Sequence, residues 1–435
     1  MQQTYDSLAG WGRTRFQVVD GKLYYPNLQH NTFGCVLRRT PILAWALLQT
    51  LDRHAVADVD IPMNCRDKPG TPLSQRLARG AETPPLAFSY TTSSSYADIP
   101  LPDYTYWGLP YADMAPWERW LASTVHEELG AATAQAPPLS GPEAVSSHTR
   151  SSGHNNGSPL GGKVDQMIWV GSPTNPLREA FQKCAASAFG PRLVHRMPNK
   201  EQMHTLAWRC PPGKGAMIAG AWREPCTTTP EGWTPLQEQC KYRYILHLPG
   251  ISDWLEHFKH QLACGSVNIF IGRRPRSGKQ ASADFVQPPA SFEHFDFTGP
   301  LLREGETFLF VPATAATVCD RLQAAITKLE GVPRRAECIA RRGQQLAASF
   351  DMPRVYAYMA AVLNEASMRQ KLDVAKRVMA KEGSRLVTKA NFFSFVPPAK
   401  RPWIEKVFVP WHAAAFNATP LLPPHGAETA SGLFH

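Results

Sequence analysis

Residues 167–178 read Met-Ile-Trp-Val-Gly-Ser-Pro-Thr-Asn-Pro-Leu-Arg: four apolar residues, a glycine turn rich in hydroxyls, then Pro176 opening a helical stretch. A short apolar run bounded by Gly and Pro is the pattern of a buried strand, and proline suits the first turn of a helix. The pattern recurs. Tyr244 to Leu248, Val267 to Ile271 and Thr307 to Val311 are further apolar runs between Gly and Pro. Helical spacing lies between and after them, in Trp254, Phe258 and Leu262, then in Val318, Leu322, Ile326 and Leu329 ahead of Gly331, which reads as a helix end. Strands alternating with helices predict parallel α/β units. After about residue 313 the chain reads as helical over 314–330, 334–350 and 354–370, followed by a basic stretch to about 382.

Upstream, Pro41 to Asp52 has helical apolar spacing, and Val59, Ile61, Met63 and Cys65 alternate as in a strand that stops at the turn cluster Arg66-Asp-Lys-Pro-Gly70. Ala131 to Lys163 is almost entirely Ala, Pro, Gly, Ser and polar residues, too poor in apolar surface to order itself, and reads as a linker or insertion. The expected organisation is an α/β lobe over 1–130, the linker over 131–163, a second α/β lobe over 164–350, and helices with a weakly ordered tail over 351–435.

At 435 residues with 43% apolar and 19% charged side chains, the chain is long enough for two or three domains and too apolar for wholesale disorder. Its 39 prolines argue against a coiled coil. A net charge of +10 suits nucleic acid, acidic lipid or a phosphate-bearing small molecule. The basic residues are dispersed without a nucleic-acid module, so no nucleic-acid partner is expected. The longest weakly polar run, Thr307 to Cys319, is interrupted by Pro312, so no transmembrane segment is expected, and Met1 to Gly10 lacks the pattern of a signal peptide. Nine cysteines are scattered without CxxC pairs, so neither a zinc site nor a disulfide framework is legible.

Asp67 follows a strand end, where ligands collect in open α/β sheets; it is either a general base or a turn residue capping the loop or pairing with Arg66. Two glycine turns lead into helices: Gly171, Ser172 and Thr174 before one, Gly250 and Ser252 before the other. Both are either phosphate sites or ordinary turns. Gly272 to Gln280 is not a P-loop, because its glycine spacing is wrong and Gln280 stands where Ser or Thr would hold magnesium. His257 and His260 share a helix face without a third ligand, so no metal site is assigned. Tyr104 and Trp107 read as a sugar-stacking platform or as core.

Taken in order, Ala57–Pro69 (ADVDIPMNCRDKP), Phe88–Trp107, Arg119-Trp120, Ile168–Arg178, Cys240–Ser266 and Phe292–Phe295 (FEHF) resemble the CAP10-like glycosyltransferases, family 90, which include Rumi-type protein O-glucosyltransferases and their KDEL-motif relatives. The resemblance runs from about Arg15 to Tyr358. It implies a two-lobed glycosyltransferase fold of the B type, with two Rossmann-like lobes. It also implies transfer of glucose or xylose from a UDP-sugar to a protein serine or a glycan, with inversion and without a metal or other cofactor. By the same resemblance Asp67 falls on the catalytic aspartate. Gly171, Ser172, Thr174, Gly250, Ser252, His257, Lys259, Gly265, Ser266 and Glu293 fall on the donor side, and Tyr104 and Trp107 on the acceptor side.

Val170, Pro173 and His257 stand where the family has arginines, with Lys259, Arg273 or Arg274 as nearby substitutes, and one cysteine expected around Cys35 is missing. These departures favour, as the alternative, a catalytically impaired protein that binds glycan or protein. The resemblance implies the lumen of the endoplasmic reticulum or Golgi; the sequence shows no export signal, which leaves a cytoplasmic location open.

Overall fold

A computed structural model describes residues 13–25, 39–72, 87–108, 114–125, 159–171, 173–196, 217–218, 221–222, 236–250, 257–274, 294–370, 384–389 and 412. The chain opens with the hairpin β1 (Arg13–Val19) and β2 (Lys22–Tyr25). Its two turn residues, Asp20 (φ 49°) and Gly21 (φ 68°), are both left-handed, the geometry that suits the right-handed twist of paired strands. Helix α1 (Arg39–Leu51) follows, buried from Thr40 through Thr50 on every side. Strand β3 (Val59–Asn64) pairs antiparallel with β1, and β4 (Phe88–Ser89) and β5 (Ile99–Pro100) add in parallel. A 3-10 turn (Tyr104–Trp107) and α2 (Trp117–Thr124) complete the first part of the chain.

The second sheet is built from β6 (Val164–Val170), α3 (Pro176–Phe189) and β7 (Leu193–Arg196). Beyond a short hairpin, β8 (Met217–Ile218) and β9 (Ala221–Trp222), come α4 (Leu236–Gln239), β10 (Tyr242–His247), α5 (Phe258–Ala263), β11 (Val267–Gly272) and β12 (Leu309–Pro312). All five principal strands are parallel, in the order β12-β11-β10-β6-β7. Helices α6 (Val318–Glu330), α7 (Pro333–Ala348) and α8 (Met352–Gln370) follow. The parallel α/β reading stands, and the α6 stripe Val318, Leu322, Ile326, Leu329 is buried as its spacing predicts. Gly331 does cap α6, in a right-handed conformation (φ −63°) rather than a left-handed one.

Two features differ from the expectation. The first sheet is mixed rather than Rossmann-like throughout, because the Asp20-Gly21 turn folds β2 straight back on β1 instead of sending the chain through a crossover helix. And α8 leaves the second lobe for the first. Gln370 donates to the Asp60 carbonyl at 2.6 Å and accepts from the Asp60 N–H at 2.9 Å, and Ser367 donates to the Asp58 carbonyl at 2.6 Å. Strand β13 (Arg385–Val387) then pairs with β2, giving the order β13-β2-β1-β3-β4-β5. With α8 contributing to its cover, all six residues of β3 are buried, including Asp60, which accepts a bidentate bond from buried Arg15 at 2.7 and 2.9 Å.

One apolar core runs from Phe16 and Ile61 through Trp107 and Trp117 to Phe258, Phe270 and Phe308, so the two sheets share it. A second core fills the space between the parallel sheet and α3, α6 and α7. Disulfides join Cys184 of α3 to Cys319 of α6, and Cys240 to Cys264; Cys65 is disulfide-bonded as well. Scattered spacing in the sequence hid these bridges, which the sheet brings together. Cys338 is free and exposed. Among the described residues no helix is long and apolar enough to cross a membrane.

Candidate functional site

Asp67 lies just past the carboxyl end of β3 with its side chain 43% exposed. Its partner is Arg39, at the start of α1, with Nη1 2.8 Å from Oδ1, an ion pair rather than an aligned hydrogen bond. Arg39 also donates to the Cys65 carbonyl and lies over the Tyr104 ring, 4.8 Å from its centroid. One guanidinium thus joins the Asp67 loop to the Tyr104 segment.

The residue before Tyr104 carries the line onward. Asp103 caps the 3-10 turn, accepting from Thr105 N–H at 2.8 Å, an Asx-type cap. Across the lobes it accepts from Lys259 Nζ at 2.8 and 3.1 Å, and Thr105 Oγ1 accepts from the same ammonium. Lys259 further sits over the Tyr106 ring, 4.4 Å from its centroid. A chain of contacts therefore leads from Asp67 through Arg39, Tyr104, Asp103 and Lys259 to the start of α5. Nearby Asp296 is half-buried, and its carboxyl is raised, first by desolvation and then by the Asp103 charge, against the bonds from Thr298.

On the second sheet the two glycine turns meet at the carboxyl ends of β6 and β10, at adjacent strands. Asn175 donates to the Pro249 carbonyl at 2.6 Å and to that of Gly250 at 3.2 Å, and its own carbonyl caps α3 by accepting from Arg178 N–H at 3.0 Å. Arg178 donates to the Leu248 carbonyl at 2.7 and 3.2 Å and to Thr174 Oγ1 at 3.4 Å. Burial lowers its pKa to about 10. His257 is driven down to about 4 by burial, with the Lys259 and Arg178 charges adding to it. It is neutral at pH 7 and offers ring N–H and lone pair rather than charge.

The residues expected at the site do not all gather there. Asn175 bonds the Gly250 carbonyl and Arg178 bonds Thr174, Gly171 follows the end of β6, and His257 lies within electrostatic reach of Arg178. Lys259 is corrected: closed in by Asp103 and Thr105 at 3% exposure, its ammonium faces the interior rather than a ligand. Gly265 and Ser266 are corrected too. They precede β11, where Ser266 Oγ donates to the Tyr242 carbonyl at 2.7 Å, at the opposite end of the sheet from Gly171 and Gly250. Tyr104 and Trp107 are core rather than platform, 3% and 1% exposed, with the Trp107 indole donating to the Tyr356 hydroxyl at 3.1 Å. Arg274 pairs with Glu304 at 2.7 Å. Ser172, Ser252, Trp254 and Glu293 lie outside the described residues, as does 131–158.

Arg39, Asp103 and Arg178 received no role from the sequence. Asp103-Tyr-Thr105 carried a cap signature, and Arg178 stood at the end of the quoted strand-turn-helix; Arg39 gave no local sign, since its partner is 28 residues away in sequence.

Known proteins resemble the chain at three levels. The model of glycosyl transferase family 90 matches residues 6–133, the stretch holding β3, Asp67 and Asp103, and the family resemblance read from the sequence stands. O-glucosyltransferase rumi of Drosophila pseudoobscura pseudoobscura is 24% identical over 274 residues, 62% of this chain and 54% of that protein. The chain thus spans about half the length of the curated relative it matches. Among solved structures, sucrose-phosphate synthase from Thermosynechococcus elongatus is similar at 12% identity over 46% of this chain and 45% of that one, TM-score 0.27. HepE of Anabaena in complex with UDP-glucose is similar at 11% identity over 47% and 50%, TM-score 0.28. Scores at that level carry no argument about the site.

Proposed function

We propose that this chain, whose residues 6–133 match glycosyl transferase family 90, is an inverting glycosyltransferase that moves glucose or xylose from a UDP-sugar to a hydroxyl of a protein serine or a glycan. Asp67 is the general base. The observation that carries the reading is its half-exposed carboxylate at the end of β3, held by Arg39 and linked through Tyr104 and Asp103 to α5 of the second lobe.

In a single displacement Asp67 takes the proton of the acceptor hydroxyl while that oxygen bonds the anomeric carbon from the face opposite the departing UDP. UDP leaves with the bonding electrons. Its charge is met at the edge formed by Gly171, Gly250 and the start of α3, where Arg178 supplies the cation and backbone N–H groups the dipoles. The lobes would then be the acceptor and donor sides of a B-type glycosyltransferase, working without a metal. Two disulfides and a bonded Cys65 support an oxidising compartment such as the lumen of the endoplasmic reticulum or Golgi.

Calorimetric titration with UDP, with and without a chelator, tests the donor site, and micromolar, chelator-insensitive binding is expected. Asp67→Asn should then lower transfer by about 10²–10⁴-fold with UDP binding retained. Full activity in that variant would sink the mechanism. A second reading, a non-catalytic glycan- or protein-binding member, is favoured by the closure of Lys259 on Asp103 and by Val170, Pro173 and His257 in place of cations. A folded protein that binds no UDP would select it.

A further inference from the structure

The loop carrying Asp67 is irregular, yet it is held on both sides of that residue by buried side chains. Asn64, 4% exposed, clasps its start: Nδ2 donates to the Lys68 carbonyl at 2.8 Å and Oδ1 accepts from Arg66 N–H at 3.1 Å. Asp98, also 4% exposed, clasps its end: Oδ1 accepts from Gly70 N–H at 2.9 Å and Oδ2 from Thr71 N–H at 2.7 Å. The Thr71 carbonyl accepts from Ala97 N–H at 2.8 Å, so the chain around Asp98 and the loop end are zipped together. Between the clasps, the Asp67 carbonyl faces Thr91 Oγ1 at 3.4 Å.

A carboxylate is an expensive choice for this purpose. Burial penalises its charge and raises Asp98 to about 6 against the pull of the two N–H bonds. What it gives in return is a pair of charge-assisted bonds, each roughly twice as strong as a neutral one, to two consecutive N–H groups. That fixes direction as well as position, which an irregular surface turn does not otherwise need.

We infer that Asp98 and Asn64 are positioning residues that aim the Asp67 carboxylate at the acceptor hydroxyl. The inference rests on the reading of Asp67 as base. Neither side chain is bonded to the Asp67 carboxylate; both act through the backbone that carries it. Proton abstraction needs the base within hydrogen-bond reach, and a displacement of about 1 Å costs on the order of 10²-fold in rate.

Asp98→Asn and Asn64→Ala in the full chain test it, with rates expressed per UDP-binding site counted by calorimetry so that misfolded protein drops out. Each variant should show kcat about 10²-fold lower at unchanged donor KM, and neither should lower the residual rate further in an Asp67→Asn background. Wild-type kcat per UDP site in both variants overturns the inference, as does a further tenfold loss on top of Asp67→Asn. Full activity of Asp67→Asn alone overturns the reading beneath it instead. Hydrogen exchange in the wild-type protein needs no variant: the amides of Gly70 and Thr71 should be strongly protected, and exchange at the rate of a free peptide overturns the clasp.

Discussion

Lys259 Nζ lies 2.8 Å from Asp103 Oδ2, with the two side chains only 3% and 1% exposed, and the pair joins α5 of the second lobe to the first. Each partner is costly to bury alone, so the pair resists being half removed. Lys259→Met should destabilise by about 3–5 kcal/mol, leaving Asp103 charged and buried. Adding Asp103→Asn, which keeps an acceptor for the Thr105 cap, should recover part of that loss. Urea unfolding of the two variants measures both, and equal stabilities would show that the charge on Asp103 is not what the lysine offsets. UDP affinity of folded Lys259→Met should stay near wild type.

The Cys184–Cys319 bridge ties α3 to α6 on the back of the parallel sheet and spans 135 residues of sequence. Cross-links closing loops of that size stabilise chiefly by restricting the unfolded chain, typically by 2–4 kcal/mol. Cys184→Ala with Cys319→Ala should therefore lower the unfolding midpoint, and peptide mapping under non-reducing conditions should recover the linked pair from native protein. Recovery of both cysteines as free thiols would remove the bridge.

The parallel lobe was legible because its strands are buried on both faces and stand out as apolar runs between Gly and Pro, as in Met167 to Val170 and Val267 to Ile271. The first lobe was harder. Its antiparallel edge hangs on Asp20-Gly21, a two-residue hairpin signal between two weakly alternating strands. Asp67 was legible from its place after β3, but its setting was not. Arg39, Asn64 and Asp98 act on it through contacts up to 28 residues apart in sequence, which no local pattern records. Trp107 and Lys259 misled for the same reason: an aromatic and a lysine near a site look like ligand contacts until the fold closes over them.

Mild acid should destabilise the protein. Burial is the largest cause lowering His54, His195, His247, His257, His260 and His412, with His257 and His412 at about 4 and His247 at about 3. The unfolded chain takes up these protons near 6.5 and the native state does not, so stability falls as pH drops from 6.5 toward about 4. Asp98 and Asp296 act in the opposite sense, since desolvation raises them and the native state holds their protons to higher pH. The histidines outnumber them, and each excess proton is worth about 1.4 kcal/mol per pH unit. Urea midpoints at pH 7.5 and 5.5 check the sign: a higher midpoint at pH 5.5 would show that the carboxyls dominate.

Gly343 sits in the interior of α7, where glycine usually weakens a helix and replacement by alanine usually strengthens it. Here the expectation reverses. A Cβ at this position would lie 2.8 Å from the Thr307 carbonyl oxygen and 3.1 Å from Leu262 Cδ2. The first neighbour is backbone leading into β12 and cannot rotate away; the second belongs to α5, whose start carries His257 and Lys259. Gly343→Ala should therefore destabilise by about 1–3 kcal/mol, the cost of overpacking a tight contact, where the intrinsic helix preference alone would stabilise by about 1 kcal/mol. Denaturant unfolding gives the sign directly. A stabilised variant would mean that α7 stands further from β12 and α5 than these distances put it.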